Sequence, residues 1–201
     1  MLAVVDGLQL HQPFGVGHSK GGAALLLAEA RRPGTFRGLW LYEPVVFPPE
    51  MAAQMSRGNP LAAGARQRRA TFESFAAAEA NYAAKPPLNV FDPEALHAYA
   101  SHGFAAQPDG SVTLKCRPED EARIYEMASG HHAWERAGQV RCPVTIVRGD
   151  VSSPGPAATS DALAAQLPHG RLEAHDDLGH FGPLEAPERM AASILAADTP
   201  G

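Results

Sequence analysis

Short continuous apolar runs alternate along the chain with longer segments whose apolar residues recur at helical spacing. Apolar residues at positions 2, 4, 5 and 8 predict a short amphipathic helix. The apolar segment 13–17 predicts a strand, and the alanine- and leucine-rich run 22–32 predicts a helix. Residues 39–42 are apolar at every position, which is typical of a strand in a parallel sheet covered on both faces.

The middle of the chain has a different character, because it is more polar and is broken repeatedly by proline and glycine. Asp92-Pro93-Glu94, for example, combines a helix-capping residue with proline at the first helical position. Since apolar residues in this segment recur at helical spacing, we interpret it as a helical insertion and not as a linker.

Strand character returns at 144–147 and 171–174, separated by a predicted helix at 157–167 and followed by a last helix at 184–196. Strands that alternate with helices predict an α/β fold with a mostly parallel sheet. The predicted organisation is a core segment at 1–49, a helical cap at 50–138 and a second core segment at 139–201.

Composition narrows the class of protein. The 201 residues are enough for one domain, and 45% hydrophobic with 19% charged residues is ordinary for a globular protein. The formal net charge of −5 and the lack of a basic cluster argue against a nucleic-acid partner.

Two isolated cysteines argue against a disulfide scaffold. No apolar run is long enough for a membrane span and no signal-peptide pattern is seen, so we expect a cytoplasmic protein without a membrane partner.

The residues Gly17-His18-Ser19-Lys20-Gly21 match the pattern G-x-S-x-G between a predicted strand and a predicted helix. That context predicts a nucleophile elbow, in which a tight turn exposes the serine hydroxyl. A serine hydroxyl is a weak nucleophile and needs a histidine base that is oriented by a carboxylate. Ser19 is therefore the candidate nucleophile, the alternative being a serine that only shapes a tight turn. His18 is predicted to pack under the elbow.

His180 lies in the glycine-rich turn 177–182 before the last predicted helix, and it is the candidate base. The alternative is a histidine that caps this helix. The other histidines show no metal-ligand spacing with cysteines or carboxylates, so no metal site is expected. We also expect no organic cofactor, because Ser19 occupies the turn that a dinucleotide motif would use.

Together, residues 17–22, 144–150 and 177–185 resemble the serine branch of the α/β-hydrolase family. The resemblance implies hydrolysis of a small carboxylic ester or related acyl substrate through an acyl-enzyme. It also implies that the backbone amide of Lys20 is one oxyanion donor, the second coming from a loop further upstream. Four cap aromatic residues are candidates to line the pocket, and the alternative for each of them is packing within the cap: Phe72, Phe75, Tyr82 and Trp134.

The acid of the expected triad has two candidates. Many family members place an aspartate about three residues past the glycine that follows a late strand, but after Gly149 that place holds Ser152. Asp150 is only one residue past the glycine. Glu43 ends an earlier predicted strand, where other members of the family carry the acid; its alternative is a solvated residue or a partner of Arg37.

The position of the elbow raises a further expectation, because only 18 residues precede Ser19. The family has several strands before its elbow, so we expect an N-terminally truncated fold that lacks its early strands and one oxyanion donor. Segment 13–16 would then be an open sheet edge. Three explanations stay open, namely a start site placed too late in the reading frame, a gene remnant, or a chain that completes its sheet by forming a homo-oligomer through this edge. The alternative function is a non-catalytic α/β-hydrolase remnant that binds a ligand or a partner.

Overall fold

The computed structural model describes residues 1–56, 59–128, 130–152 and 155–199. Its strands, in chain order, are β1 (Phe14–His18), β2 (Gly38–Tyr42), β3 (Thr71–Phe72), β4 (Phe104–Ala106), β5 (Val112–Leu114), β6 (Val144–Arg148) and β7 (Gly170–Ala174). The α-helices are α1 (Leu2–Gly7), α2 (Lys20–Arg31), α3 (Pro49–Ser56), α4 (Pro60–Arg66), α5 (Phe75–Ala83), α6 (Pro93–Gly103), α7 (Pro118–Glu126), α8 (Ala133–Arg136), α9 (Ala157–Gln166), α10 (Gly182–Glu185) and α11 (Pro187–Asp198). Leu88–Val90 and Ala137–Gln139 form 3₁₀ turns.

Four strands form the main sheet in the order β1-β2-β6-β7, and each neighbouring pair is parallel. The predicted α/β class with a mostly parallel sheet is confirmed. Helices connect these strands, so the carboxyl ends of all four lie at one edge of the sheet.

Alternate residues of β2 enter two different hydrophobic clusters. Leu39 and Leu41 pack with residues of α2 and α9, whereas Trp40 and Tyr42 pack with Met190 of α11. Every residue of β2 is buried. Coverage of both faces explains why the sequence is apolar at every position of this strand.

The segment between β2 and β6 contains α3 to α8, as the helical spacing predicts. It also contains an antiparallel sheet in the order β3-β5-β4, which the prediction of an all-helical cap missed. These strands have only two or three residues, too few for a period-two pattern to appear in the sequence. The domain boundaries at 49/50 and 138/139 stay predictions.

The single helix predicted at 184–196 is wrong, because the chain forms α10 and then α11. Ala186 lies between them with φ −140° and ψ 65°, outside the helical region. It precedes Pro187, whose ring disfavours helical backbone at the preceding residue. In the described ranges, no helix has both the length and the apolar character needed to cross a membrane.

Candidate active site

Ser19 occupies a sharp turn between β1 and α2, with φ 56° and ψ −119°. A positive φ is uncommon for a residue other than glycine and marks a strained position. Two nearby glycines allow the elements to approach. A Cβ on Gly17 would lie 2.8 Å from the Cα of Gly22, and a Cβ on Gly22 would lie 2.9 Å from the Cβ of Pro44. The strand, turn and helix therefore have the arrangement that the motif predicts.

Ser19, His180 and Glu43 meet at the carboxyl edge of the main sheet. His180 Nε2 lies 3.2 Å from Ser19 Oγ, and His180 Nδ1 lies 2.6 Å from Glu43 Oε2. Ser19 follows β1, Glu43 follows β2, and His180 lies in the loop after β7. Side chains that are far apart in sequence meet here because parallel strands share one carboxyl edge.

The Glu43 carboxylate is held at both oxygens. Oε2 faces His180, while Oε1 accepts a 2.8 Å hydrogen bond from the backbone N–H of Gly149. Glu43 is 2% exposed and has a positive φ of 40°. A carboxylate at Nδ1 favours the tautomer with the proton on Nδ1, which leaves Nε2 free to accept a proton from Ser19.

Asp150 does not contact His180. Its two carboxylate oxygens accept hydrogen bonds of 2.8 Å and 2.5 Å from the backbone N–H and the hydroxyl of Ser152. These hydrogen bonds lower the pKa of the Asp150 carboxyl. Of the two acids that the sequence left open, the structure brings Glu43 to His180, whereas Asp150 contacts Ser152. Arg37 pairs with Asp198, not with Glu43.

Lys20 is the first residue of α2. The first amides of a helix have no acceptor within the helix, and the partial positive charge there favours an anion. The Lys20 N–H is thus suited to a developing oxyanion. Its side chain contacts the cap, since Nζ lies 4.0 Å from the centroid of the Tyr125 ring. Burial lowers the pKa of the Lys20 ammonium.

A cleft of about 230 Å³ opens beside Ser19. Helix α7 of the cap supplies one wall, and the lining residues are His18, Ser19, Lys20, Gly21, Glu121, Ile124 and Tyr125. The four aromatic residues predicted to line the pocket do not line this cleft. Phe72, Phe75 and Tyr82 pack in a cluster within the cap, and Trp134 packs against the main core. Sequence spacing alone does not tell which face of a cap helix meets the core.

A larger depression of about 500 Å³ lies at the opposite end of the strands. Phe14, Gly38 and Val144 line it, and each is the first residue of its strand. Ligands of parallel sheets bind at the carboxyl ends of the strands. The cleft beside Ser19 is therefore the better candidate despite its smaller volume.

Two contacts to the loop 175–181, which holds His180 and is called the histidine loop below, were not predicted from the sequence. His18 Nε2–H donates to the carbonyl oxygen of His180 at 2.7 Å, and the Tyr42 hydroxyl donates to the carbonyl of Gly179 at 2.7 Å. Burial and the neighbouring His180 lower the pKa of His18 to about 4, so its ring is neutral at neutral pH. The one sequence signal for His18 is its position next to Ser19.

Comparison with known proteins gives one family. The model of the alpha/beta hydrolase family matches residues 1–193. Among curated proteins, none matches this chain.

Solved structures with the same architecture include E-2-(acetamidomethylene)succinate hydrolase, at 22% identity and TM-score 0.73. The peroxisomal α/β-hydrolase Lpx1 of Saccharomyces cerevisiae is 15% identical with TM-score 0.71, and the esterase Rv0045c of M. tuberculosis is 22% identical with TM-score 0.69. The three alignments cover 98%, 99% and 96% of this chain, but 70%, 59% and 64% of the other chains. At these identities the likeness establishes the fold.

Proposed function

Because the chain belongs to the alpha/beta hydrolase family, we propose that it is a serine hydrolase that cleaves a carboxylic ester or related acyl substrate. The proposal rests on one observation, the hydrogen-bonded chain of Ser19, His180 and Glu43, which is called the candidate relay below. His180 Nε2 lies 3.2 Å from Ser19 Oγ, and His180 Nδ1 lies 2.6 Å from Glu43 Oε2. Solved structures of similar fold that are named as a hydrolase and an esterase support the reaction class.

In the proposed reaction, Ser19 Oγ attacks the substrate carbonyl carbon while His180 Nε2 takes the serine proton. Glu43 stabilises the imidazolium that forms, and the Lys20 N–H donates to the oxyanion of the tetrahedral intermediate. Collapse of this intermediate breaks the ester C–O bond, and His180 returns the proton to the leaving alcohol. His180 then deprotonates a water molecule, which attacks the acyl carbon. The bond between the acyl carbon and Ser19 Oγ breaks, His180 returns the proton to Ser19 Oγ, and the acid is released.

The cap is suited to select the substrate, since it forms one wall of the cleft and also contacts the loop of His180 and the helix α10 that follows this loop. The Phe91 ring centroid lies 5.3 Å from that of Phe181, and the backbone N–H of Asp92 donates to the Leu184 carbonyl at 2.8 Å. Tyr125 and Ile124 present apolar surface beside Ser19, as expected for a pocket that binds a small acyl group.

Turnover of a p-nitrophenyl ester by the wild type and by Ser19→Ala tests the proposal. Without the Oγ nucleophile no acyl-enzyme forms, so we expect kcat/KM to fall by at least about 10²-fold. Equal rates for the two proteins would contradict a serine hydrolase and favour the non-catalytic remnant.

A matched pair of carboxylate-to-amide substitutions tests the role of the acid. In Glu43→Gln the neutral amide cannot stabilise the imidazolium, so we expect kcat to fall by about 10²–10⁴-fold. In Asp150→Asn, where the carboxylate contacts Ser152, we expect kcat within about twofold of the wild type. A larger loss in Asp150→Asn than in Glu43→Gln would contradict the assignment of Glu43.

A further inference from the structure

The side chain of His18 connects the turn that holds Ser19 to the loop that holds His180. It is the last residue of β1 and is covalently joined to Ser19. Its Nε2–H donates a 2.7 Å hydrogen bond to the carbonyl oxygen of His180, a residue 162 positions away in the sequence. A carbonyl oxygen only accepts hydrogen bonds, so the contact requires the proton on Nε2 of His18.

Other side chains hold the neighbouring residue of the same loop. The Tyr42 hydroxyl donates to the Gly179 carbonyl at 2.7 Å, and Glu185 Oε2 accepts from the Gly179 N–H at 3.0 Å. These two contacts hold the peptide groups on either side of Gly179. The contact from His18 differs from them, because it ties the backbone of His180 itself to the residue that precedes the nucleophile.

We propose that His18 is a positioning residue that sets the separation between Ser19 Oγ and His180 Nε2, an inference that rests on the proposed serine hydrolase function. That separation is 3.2 Å, at the long end of the range for a hydrogen bond, so further loosening would weaken proton transfer. A displacement of about 1 Å in a reacting group can cost about 10²-fold in rate. The His18 contact limits such a displacement, because elbow and histidine loop then move together.

Burial and the neighbouring His180 disfavour a positive charge on His18 more than the Glu43 carboxylate and the hydrogen bond to the His180 carbonyl favour one, so His18 is a neutral donor. Its ring contacts the rings of Tyr42, His180 and Phe181, with centroid distances of 5.9 Å, 4.9 Å and 6.1 Å. A second positive charge beside His180 would oppose the imidazolium that forms during catalysis. A neutral His18 supplies the hydrogen bond without that repulsion.

Two substitutions separate the hydrogen bond from the volume of the side chain. In His18→Gln the amide nitrogen lies at nearly the same distance from Cβ as Nε2, so the donor is retained. In His18→Leu the volume is largely kept and the donor is lost. We expect His18→Leu to lower kcat by about 10- to 100-fold with KM within about twofold, and His18→Gln to recover kcat to within about threefold of the wild type. Melting temperatures of both variants control for loss of fold.

Equal loss of kcat in both variants, or a higher KM with unchanged kcat, would overturn the positioning role. Imidazole ¹⁵N NMR of the wild type provides a readout that does not depend on turnover, and we expect the His18 resonances at pH 7 to show the Nε2–H tautomer. An active wild type with the proton on Nδ1 of His18 would overturn the positioning role of His18 and leave the proposed function standing. Equal turnover by wild type and Ser19→Ala would overturn the proposed function, and the positioning role with it, whatever the tautomer.

Discussion

Two members of the candidate relay have strained backbone conformations, with φ of 56° at Ser19 and 40° at Glu43. Such a conformation costs on the order of 1–3 kcal/mol per residue and persists only where surrounding contacts impose it. Here the sheet imposes it, because the Ser19 N–H donates to the Tyr42 carbonyl at 2.9 Å and the Glu43 N–H donates to the Val147 carbonyl at 2.8 Å. The strain thus aims both side chains toward His180.

The low pKa of His18 predicts a pH-dependent stability. Folding lowers this pKa from 6.5 to about 4, so between these values the unfolded chain binds more protons and the fold loses stability as the pH falls. We expect His18 to account for a loss of about 2 kcal/mol in the free energy of unfolding between pH 7 and pH 5. Urea unfolding of the wild type and of His18→Gln at both pH values measures this loss. The difference between the two proteins isolates His18, because all other titratable groups are present in both. An identical pH dependence in the two proteins would contradict the low pKa.

At the residue scale the sequence predicts what is local. The pattern around Ser19 and the glycine-rich turn of His180 predict the nucleophile and the base, whose Oγ and Nε2 atoms lie 3.2 Å apart. The choice between Glu43 and Asp150 stayed open, because it depends on which strand end faces the histidine. The His18 contact spans 162 positions and leaves no local pattern.

At the scale of elements, α2 carries a fully buried acid at the end away from the elbow. Glu29 is 0% exposed, and its two oxygens accept hydrogen bonds of 2.8 Å and 3.1 Å from the backbone N–H groups of Gly34 and Phe36. These contacts shape the turn that leads from α2 into β2. Glu29 therefore helps to fix the helix that begins next to Ser19 to the strand that ends next to Glu43.

Replacing Glu29 by leucine keeps a similar volume but leaves two backbone N–H groups without their acceptor. We expect the free energy of unfolding to fall by about 2–4 kcal/mol, measured by urea denaturation. Glu29→Gln keeps one acceptor oxygen and should lose less. A change below about 0.5 kcal/mol in Glu29→Leu would contradict a structural role for this carboxylate.

Elements with a strong apolar pattern were predicted close to their observed bounds. β2 was predicted at 39–42 and spans Gly38–Tyr42; α2 was predicted at 22–32 and spans Lys20–Arg31. The failures have local physical causes, since β3, β4 and β5 are too short to show a period. The break at Ala186 came from a proline whose effect on the preceding residue outweighed the helical spacing.

At the scale of the whole molecule, β1 is at the edge of the main sheet, and within the part of the chain that the structure describes it pairs with β2 alone. Val16 on this strand is 49% exposed, and Val4 and Leu8 near the chain start are 54% and 66% exposed. The three similar structures described above are longer, and this chain spans 59% to 70% of their length. An open strand edge beside apolar surface favours pairing with another chain.

We propose that a second copy of the chain pairs with β1. Size-exclusion chromatography with light scattering should then give about twice the 21.2 kDa of one chain. Val16→Lys places a charge on the edge strand and should shift the mass toward the monomer. A monomeric wild type, or a dimer that Val16→Lys leaves unchanged, would contradict pairing through this edge.

Activation of Ser19 by His180 and Glu43 is measured by labelling the protein with a fluorophosphonate and mapping the modified peptide by mass spectrometry. An activated serine attacks the phosphorus and expels fluoride, whereas an ordinary serine does not. We expect phosphonylation on Ser19 in the wild type and at least about 10²-fold slower labelling in His180→Ala. Absence of label on Ser19, or labelling as fast in His180→Ala as in the wild type, would contradict it.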